Sequence, residues 1–563
     1  MKLDYNPANR MYVLTVKRGE EPNPEILMSE YGLSHSQSGS TPREAMLFTP
    51  CPYAAASFAH VATPGAREKL GWIVAEVEAS RAPRGTGHYD VPRALLEQGT
   101  DLWDYQKADL DYMLKRDRVL DGDEPGLGKT PTAIVYANMI EAQRVLVVCP
   151  ASIRFQWLRK IVGSKEDGPG WSTMGQSYRV NSTRAYPVIT AKGGVDPTAA
   201  WTVVSYELAR DPGILAALRQ TKYDLLVLDE AHYLKSVGSR RTRAIFGGGH
   251  DPLYHEALAD RAKRVVALSG TPLPNRPREA YVLARNFDHA AIDYLSEDRF
   301  GAMFNPIEMR EVYRKDGSMA VISDESSGRH AELQNRLRAH FMCRHLKREV
   351  MTQLKYPIYD LVRMDEMTPP VRAALKAESL LGIDPEHLEG ATAEILGHIA
   401  EARRMMGEAM APQVAKYVEM CLDGGEPKIT LFYWHINVGN ILQQHLGKFG
   451  VCRVDGGTSP VQKDALVQRF QQDPRYRIMM GNVMSLGTGT DGLQHVCSHA
   501  VIGEPDWVPG NNVQCFDRLD RGGQKVQVQG DICVVPGSLA ERVLSSALRK
   551  LKTTHAALDR RVA

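Results

Sequence analysis

Two continuous apolar runs, Arg144 to Pro150 (RVLVVCP) and Tyr223 to Glu230 (YDLLVLDE), set the pattern of the chain. Neither alternates with polar residues, so each reads as a strand buried on both faces of a parallel sheet. From Leu102 to about Asn286, four such strands alternate with helical segments, which predicts a doubly wound sheet. A second strand–helix series begins at Lys428: ITLFYWH, CRVDG, RIMMGN, HAVIGEPD and VQVQGDICVV. Between the two series lies a helix-rich, charge-rich stretch with a polar loop at Ser323 to Gly328. Ahead of both, Tyr12 to Val16 reads as a strand, Leu70 to Ser80 has helical spacing, and the polar run Ser34 to Pro42 interrupts the region. The predicted organisation is a small accessory domain over 1–95, a first lobe over 96–286, helical protrusions over 287–420 and a second lobe over 421–563.

Composition narrows the class without naming a function. The chain has 563 residues, 43% hydrophobic and 24% charged, as expected of a soluble multidomain protein. No run of about 18 apolar residues occurs, so no membrane span is expected, and the start (MKLDYNP) lacks an apolar signal core. The net charge of +2 means that any basic surface for a nucleic acid must be local. The eight cysteines include no Cys-x-x-Cys pair. That predicts reduced, buried thiols in a cytosol-like compartment, with no disulfides and no zinc.

The chemistry lies in two loops that each follow an apolar strand. In Gly122-Asp123-Glu124-Pro125-Gly126-Leu127-Gly128-Lys129-Thr130, Gly126 and Gly128 let the backbone wrap a phosphate. Lys129 would reach the β- and γ-phosphates of ATP, and the Thr130 hydroxyl would ligate Mg²⁺. In Asp229-Glu230-Ala231-His232, Asp229 would hold the metal and Glu230 would orient or deprotonate the attacking water. The first loop has Asp123 where the common phosphate-loop pattern wants a glycine. Taken singly, the two loops could be a helix-capping turn and a charged loop. Two α/β units with one phosphate loop predict an α/β fold of two RecA-like parallel-sheet lobes, with helical insertions and the small N-terminal domain. Such a pair needs a positive charge from the second lobe. Gln514 to Gln524 offers Arg518 and Arg521, three apart and so on one side of a helical turn. The competing reading of those arginines is a surface salt-bridge helix with Asp517 and Asp520 as partners.

The series as a whole, from about residue 100 to 550, resembles the Swi/Snf group of superfamily-two DNA translocases. Leu102 to Gln106 resembles the segment whose glutamine, here Gln106, reads adenine. Val148 to Ser152 with Trp157, and Val204 to Glu207, resemble first-lobe strand-tracking motifs. Ser269-Gly270-Thr271-Pro272 is similar to the coupling motif, and Phe341 to Lys347 to the brace between lobes. Asp455 to Ser459 resembles a second-lobe backbone-contact loop, and Gln514 to Gln524 the closing arginine-finger motif, which places Gln514 beside the catalytic arginines. Trp507-Val508-Pro509-Gly510 is most like the HARP-type annealing helicases. Departures are Pro125 in place of Met, a longer Leu486 to Leu493 loop, and Asp520 and Gly522 in place of His and Ile.

The resemblance implies an ATP- and Mg²⁺-dependent double-stranded DNA translocase that anneals or remodels forks. DNA contacts would come from Ser152, Arg154, Ser205, Thr271, Thr458, Ser459 and Thr488, with Lys160 and Lys463 as further phosphate contacts or ordinary solvated surface. His232, Ser269 and Thr271 would couple the site to movement, although His232 could instead be a catalytic base. The alternatives are a strand-separating helicase of the same superfamily and an inactive DNA-binding scaffold. Duplex or branched DNA is the expected partner. The protein is expected to be a monomer in the cytoplasm, in the nucleoid or a phage-infected bacterial cytosol.

Overall fold

The computed structural model describes the chain except residues 18, 21, 37–38, 42, 165–167, 174–184, 188–193, 250, 274–275, 314–318, 326–327, 352–353, 356, 381–392, 488–489, 507–508, 543 and 545–563. It divides into two compact units. The first includes Met1–Glu124 and Gly128–His345, and the second comprises Pro125–Leu127 and Leu346–Leu551.

The first unit is built on a seven-stranded, all-parallel sheet. Its order is Met342–Cys343, Arg118–Asp121, Ala262–Leu268, Tyr223–Asp229, Val145–Cys149, Trp201–Ser205 and Ala185–Pro187. Every residue of Val145–Cys149 is buried, which is why the run carries no polar alternation. Successive residues nevertheless face opposite ways. Leu146, Val148, Leu226 and Leu228 enter one core, and Val145, Val147, Leu225 and Val227 enter the other. The register pairs Leu268 with both Asp121 and Asp229, so these strands end together, at the edge where open α/β sheets bind ligands. Six strands of this sheet lie between Leu102 and Asn286 rather than four. The seventh, Met342–Cys343, comes from the stretch expected to be helical. Strands of two to four residues are too short to leave an apolar run in the sequence.

The N-terminal region forms a four-stranded antiparallel sheet in the order Lys2–Asn6, Met11–Lys17, Glu44–Thr49, Ser34–His35. The helix Pro64–Ala79 covers the segment expected from spacing. This small domain packs on the buried helix His330–His340, where Asn335 Nδ2 donates to the Tyr53 carbonyl at 2.8 Å. The expected polar loop at Ser323 begins inside a strand, Met319–Glu325, paired antiparallel with Ile307–Tyr313. Backbone pairing carries the strand past its apolar start into polar residues. Part of the polar run Ser34 to Pro42 lies outside the described residues.

The second unit has a six-stranded parallel sheet in the order Ile358–Arg363, Gln529–Val534, His499–Ile502, Ile429–Tyr433, Ile478–Asn482, Val451–Val454. Five of these are the strands expected after Lys428. The sixth is an exposed edge strand from the helix-rich stretch. Ile429, Leu431 and Tyr433 enter one core and Phe432 the other. All eight cysteines are free thiols, and all but Cys51 and Cys421 are buried. Among the described residues no helix is long and apolar enough to cross a membrane.

Leu226 is wholly buried in the central region of the first sheet. Leu226→Ala should cost about 2–5 kcal/mol through lost burial and a residual cavity. Hydrogen exchange of the Tyr223–Asp229 amides measures that loss directly.

Candidate nucleotide site

The phosphate loop leaves the strand Arg118–Asp121 and ends where the helix Lys129–Met139 begins. Gly126 (φ +88°) and Gly128 (φ +80°) are left-handed, where a side chain is strained. A Cβ on Gly128 would also lie 2.4 Å from Gln106 Nε2. Gln106 is fixed in the first turn of the helix Asp104–Met113. Its Oε1 accepts from the Trp103 amide at 2.8 Å, and its Nε2 donates to the Gly128 carbonyl at 3.3 Å. Lys129 Nζ donates to the carbonyls of Asp123 (2.6 Å) and Glu124 (3.2 Å). Thr130 follows in the same first turn. Asp123, at the position where a glycine was expected, is buried, and its Oδ1 accepts from the His345 amide at 2.6 Å.

The second loop follows the strand Tyr223–Asp229. Asp229 is held on three sides. Its Oδ2 accepts from Trp157 Nε1 at 2.7 Å, its Oδ1 from the Glu230 amide at 2.8 Å, and its carbonyl from the Tyr206 hydroxyl at 2.8 Å. Burial and then the Glu230 charge raise the Asp229 carboxyl above the ordinary range, against the lowering effect of Trp157. Glu230 is left-handed (φ +50°). His232 Nδ1 lies 3.2 Å from Glu230 Oε2 and 3.3 Å from Ser269 Oγ, so two of the expected coupling residues meet beside Glu230. Thr271 Oγ1 is buried without a hydrogen-bond partner. Trp157 and Tyr206 were legible only as motif residues. Their grip on Asp229 spans 72 and 23 residues and leaves no local signal.

In the second unit, Gln514 lies on the helix Pro509–Phe516, but that helix stops before the two arginines, which occupy the turns ahead of Gly522 and Gly523. Arg518 is buried, with Nε donating to the Gln514 carbonyl at 3.2 Å. Arg521 donates to the Asp517 carbonyl at 2.9 Å, and its Nη1 meets Asp491 at 3.2 Å. The carboxylates of Asp517 and Asp520 converge instead on Lys347 Nζ, Asp520 at 3.0 Å. The surface salt-bridge helix is therefore not what forms here.

The expected DNA-contact residues are dispersed. Ser205 is buried, and its Oγ caps the short helix Tyr206–Ala209. Arg154 opens the helix Arg154–Val162 with Nε on the Ala151 carbonyl at 3.2 Å, and Lys160 is exposed on that helix. The Ser152 side chain, Thr488, Trp507 and Val508 lie outside the described residues. Thr458 Oγ1 accepts from the Asp455 amide at 2.9 Å, and Ser459 caps the helix Pro460–Gln472. Lys463 Nζ donates to the Ser485 carbonyl at 2.7 Å, and burial followed by the Arg518 charge lowers its pKa to about 8.

Lys347→Met should leave Asp517 and Asp520 facing each other without their cation. Breaking a buried ion cluster in this way costs about 3–5 kcal/mol. Chemical denaturation of the second unit, followed at neutral pH, should show that loss.

Residues 105–368 match the SNF2-related domain. The cattle (Bos taurus) "DNA annealing helicase and endonuclease ZRANB3" is 27% identical over 81% of this chain and 40% of its own length. The "SWI/SNF-related matrix-associated actin-dependent regulator of chromatin subfamily A-like protein 1" of Xenopus tropicalis is 27% identical over 82% of this chain and 46% of its own length. The chain thus spans less than half of either relative. Among solved structures, the "Sulfolobus solfataricus SWI2/SNF2 ATPase core in complex with dsDNA" aligns with 85% of this chain and 99% of its own, at 16% identity and a TM-score of 0.36. The matched SNF2-related domain spans the glycine-bearing loop that follows Arg118–Asp121 and the Asp-Glu-Ala-His loop that follows Tyr223–Asp229, both at the strand ends of the first sheet.

Proposed function

We propose that the protein is an ATP-driven translocase on double-stranded DNA that anneals strands or remodels branched DNA. The observation that carries this reading is the meeting of Lys129, Asp229 and Glu230 at the C-terminal edge of one parallel sheet, in a chain similar to annealing helicases. The residues fit MgATP. Gly126 and Gly128 hold the backbone open for phosphates, Lys129 supplies charge, and Thr130 offers a hydroxyl. Asp229 is a buried carboxyl raised above its ordinary range, so a divalent cation would relieve it. Bound Mg²⁺ would neutralise charge on the phosphate oxygens.

In this reading Glu230 orients the attacking water and accepts its proton. His232, paired with Glu230 and Ser269, senses the state of Glu230. Arg518 and Arg521 stabilise the charge that develops on the transferred phosphoryl group. The loops bearing Ser152, Arg154, Thr271, Thr458, Ser459 and Thr488 hold the DNA backbone. Backbone contacts carry little sequence information, so movement is sequence-tolerant and salt-sensitive. Action as a monomer, without zinc, in the cytoplasm belongs to the same proposal.

ATPase activity measured side by side with single-stranded, duplex, forked and RNA-containing ligands tests the reading. Duplex or forked DNA should stimulate most, triplex displacement should report movement, and complementary forks should anneal. Unwinding of a plain partial duplex without triplex displacement would favour the strand-separating helicase, and no ATPase on any ligand the inactive scaffold. Lys129→Ala should abolish turnover, whereas Glu230→Gln should keep nucleotide binding and lose hydrolysis. Arg521→Ala should lower kcat by about 10³-fold or more with little change in ATP affinity, because its interaction forms in the transition state. An unchanged kcat would remove Arg521 from the mechanism.

A further inference from the structure

His345 is buried two residues beyond the edge strand Met342–Cys343. Its Nε2 lies 2.9 Å from the carbonyl oxygen of Ala82. A carbonyl only accepts, so Nε2 carries a proton. Its Nδ1 lies 3.2 Å from Oδ1 of Asp109 and 3.2 Å from Oδ1 of Asp123. Two carboxyl groups at that distance favour a second proton on Nδ1, which would make the ring an imidazolium. The main chain around it holds the start of the phosphate loop. The Gly122 amide donates to the Cys343 carbonyl at 2.8 Å, the Glu124 amide to the His345 carbonyl at 3.2 Å, and the His345 amide to Asp123 Oδ1 at 2.6 Å. Arg344 adds a guanidinium on the carbonyls of Gly122 and Gly270. The Asp123 and Glu124 carbonyls in turn receive Lys129 Nζ.

We propose that His345 is a positioning residue for the phosphate loop: its imidazole, wedged between the Asp109 and Asp123 carboxylates, fixes Asp123 and thereby sets where the Lys129 ammonium stands. The role rests on the nucleotide-site reading above. The groups facing the ring are Tyr105 and Asp109 from the helix Asp104–Met113 and Asp123 from the loop, while Asp121, Lys129 and Cys343 act on those carboxylates. Burial disfavours the imidazolium, but the two carboxylates outweigh it and raise the His345 pKa to about 11. Asp123 keeps the negative charge. Burial works against it, but His345 and Lys129 hold its carboxyl below the ordinary range. Asp109, neither of whose oxygens accepts a well-formed hydrogen bond, is pushed up by burial and then by Asp123. The stability that His345 contributes is complete below the ordinary histidine value of 6.5 and is lost as pH rises from there toward 11.

The full chain, labelled at histidine ¹³Cε1, supplies the first readout, with His345→Gln assigning the signal. The His345 resonance should hold its imidazolium position from about pH 6 to 9, and a midpoint near the ordinary histidine value would overturn the assignment. The second readout is kinetic. His345→Gln should raise KM for ATP, and the Kd of a fluorescent ATP analogue, about tenfold with kcat changed by about twofold or less. His345→Arg, always charged, should recover most of that affinity and remove the decline of stability at alkaline pH. A His345→Gln protein less stable but unchanged in KM would mean a merely structural role and sink the proposal. If His345→Gln does not fold, Asp109→Asn takes its place. It leaves the imidazole with one carboxylate, so the His345 titration should move down into the observed window, and an unmoved resonance counts against the wedge. A wild-type protein that binds no nucleotide overturns the site reading and the positioning role together. An active wild type with an unaffected His345→Gln overturns the positioning role alone.

Discussion

A carboxylate taken out of water costs several kcal/mol unless a cation or hydrogen-bond donors meet it, and the first unit buries three of them, Asp109, Asp121 and Asp123, beneath its phosphate loop. Lys129 and His345 are the cations that face this cluster, and the amides of Asp123 and His345 supply donors. The need to satisfy that buried charge dictates the local geometry. The loop cannot leave the strand Arg118–Asp121 in any direction that takes Asp123 away from the segment Cys343–His345. Asp123, which interrupts the glycine pattern of a common phosphate loop, is thus part of the loop's support.

The short run Arg344 to Lys347 answers the same constraint in both units. Arg344 and His345 close on main-chain and carboxylate oxygens in the first unit, and Lys347 closes on Asp517 and Asp520 in the second. With those two aspartates occupied, Arg518 Nε meets the Gln514 carbonyl, and Arg521 is shared between the Asp517 carbonyl and the Asp491 carboxylate.

The N-terminal domain reaches the same region. Its helix Pro64–Ala79 ends at Ser80, whose carbonyl takes the Arg344 amide at 3.0 Å and whose hydroxyl lies 3.3 Å from Arg338 Nη1. Ala82 then takes the His345 ring. The buried helix His330–His340, with Arg336 paired to Glu332 at 2.9 Å, carries this domain's packing into the first unit. The N-terminal domain therefore borders the segment Arg344–His345 and, through it, the loop that follows Asp121.

Much of this was local and so legible along the chain. The apolar runs marked Val145–Cys149 and Tyr223–Asp229, because strands buried on both faces are apolar nearly throughout, and the strand–helix series after Lys428 marked five more. Spacing placed Gly126, Gly128, Lys129 and Thr130 in one loop and Asp229 with Glu230 in another, because wrapping a phosphate is a matter of consecutive residues. What the sequence left open was set by long-range pairing. The edge strands Met342–Cys343 and Ile358–Arg363 exist only because a neighbouring strand offers them backbone partners. Trp157 meets Asp229, Asp109 meets His345, and Lys347 meets Asp517 only once the sheets have assembled. No spacing rule links residues 72, 236 or 170 positions apart, since a buried charge selects its partner by proximity in three dimensions.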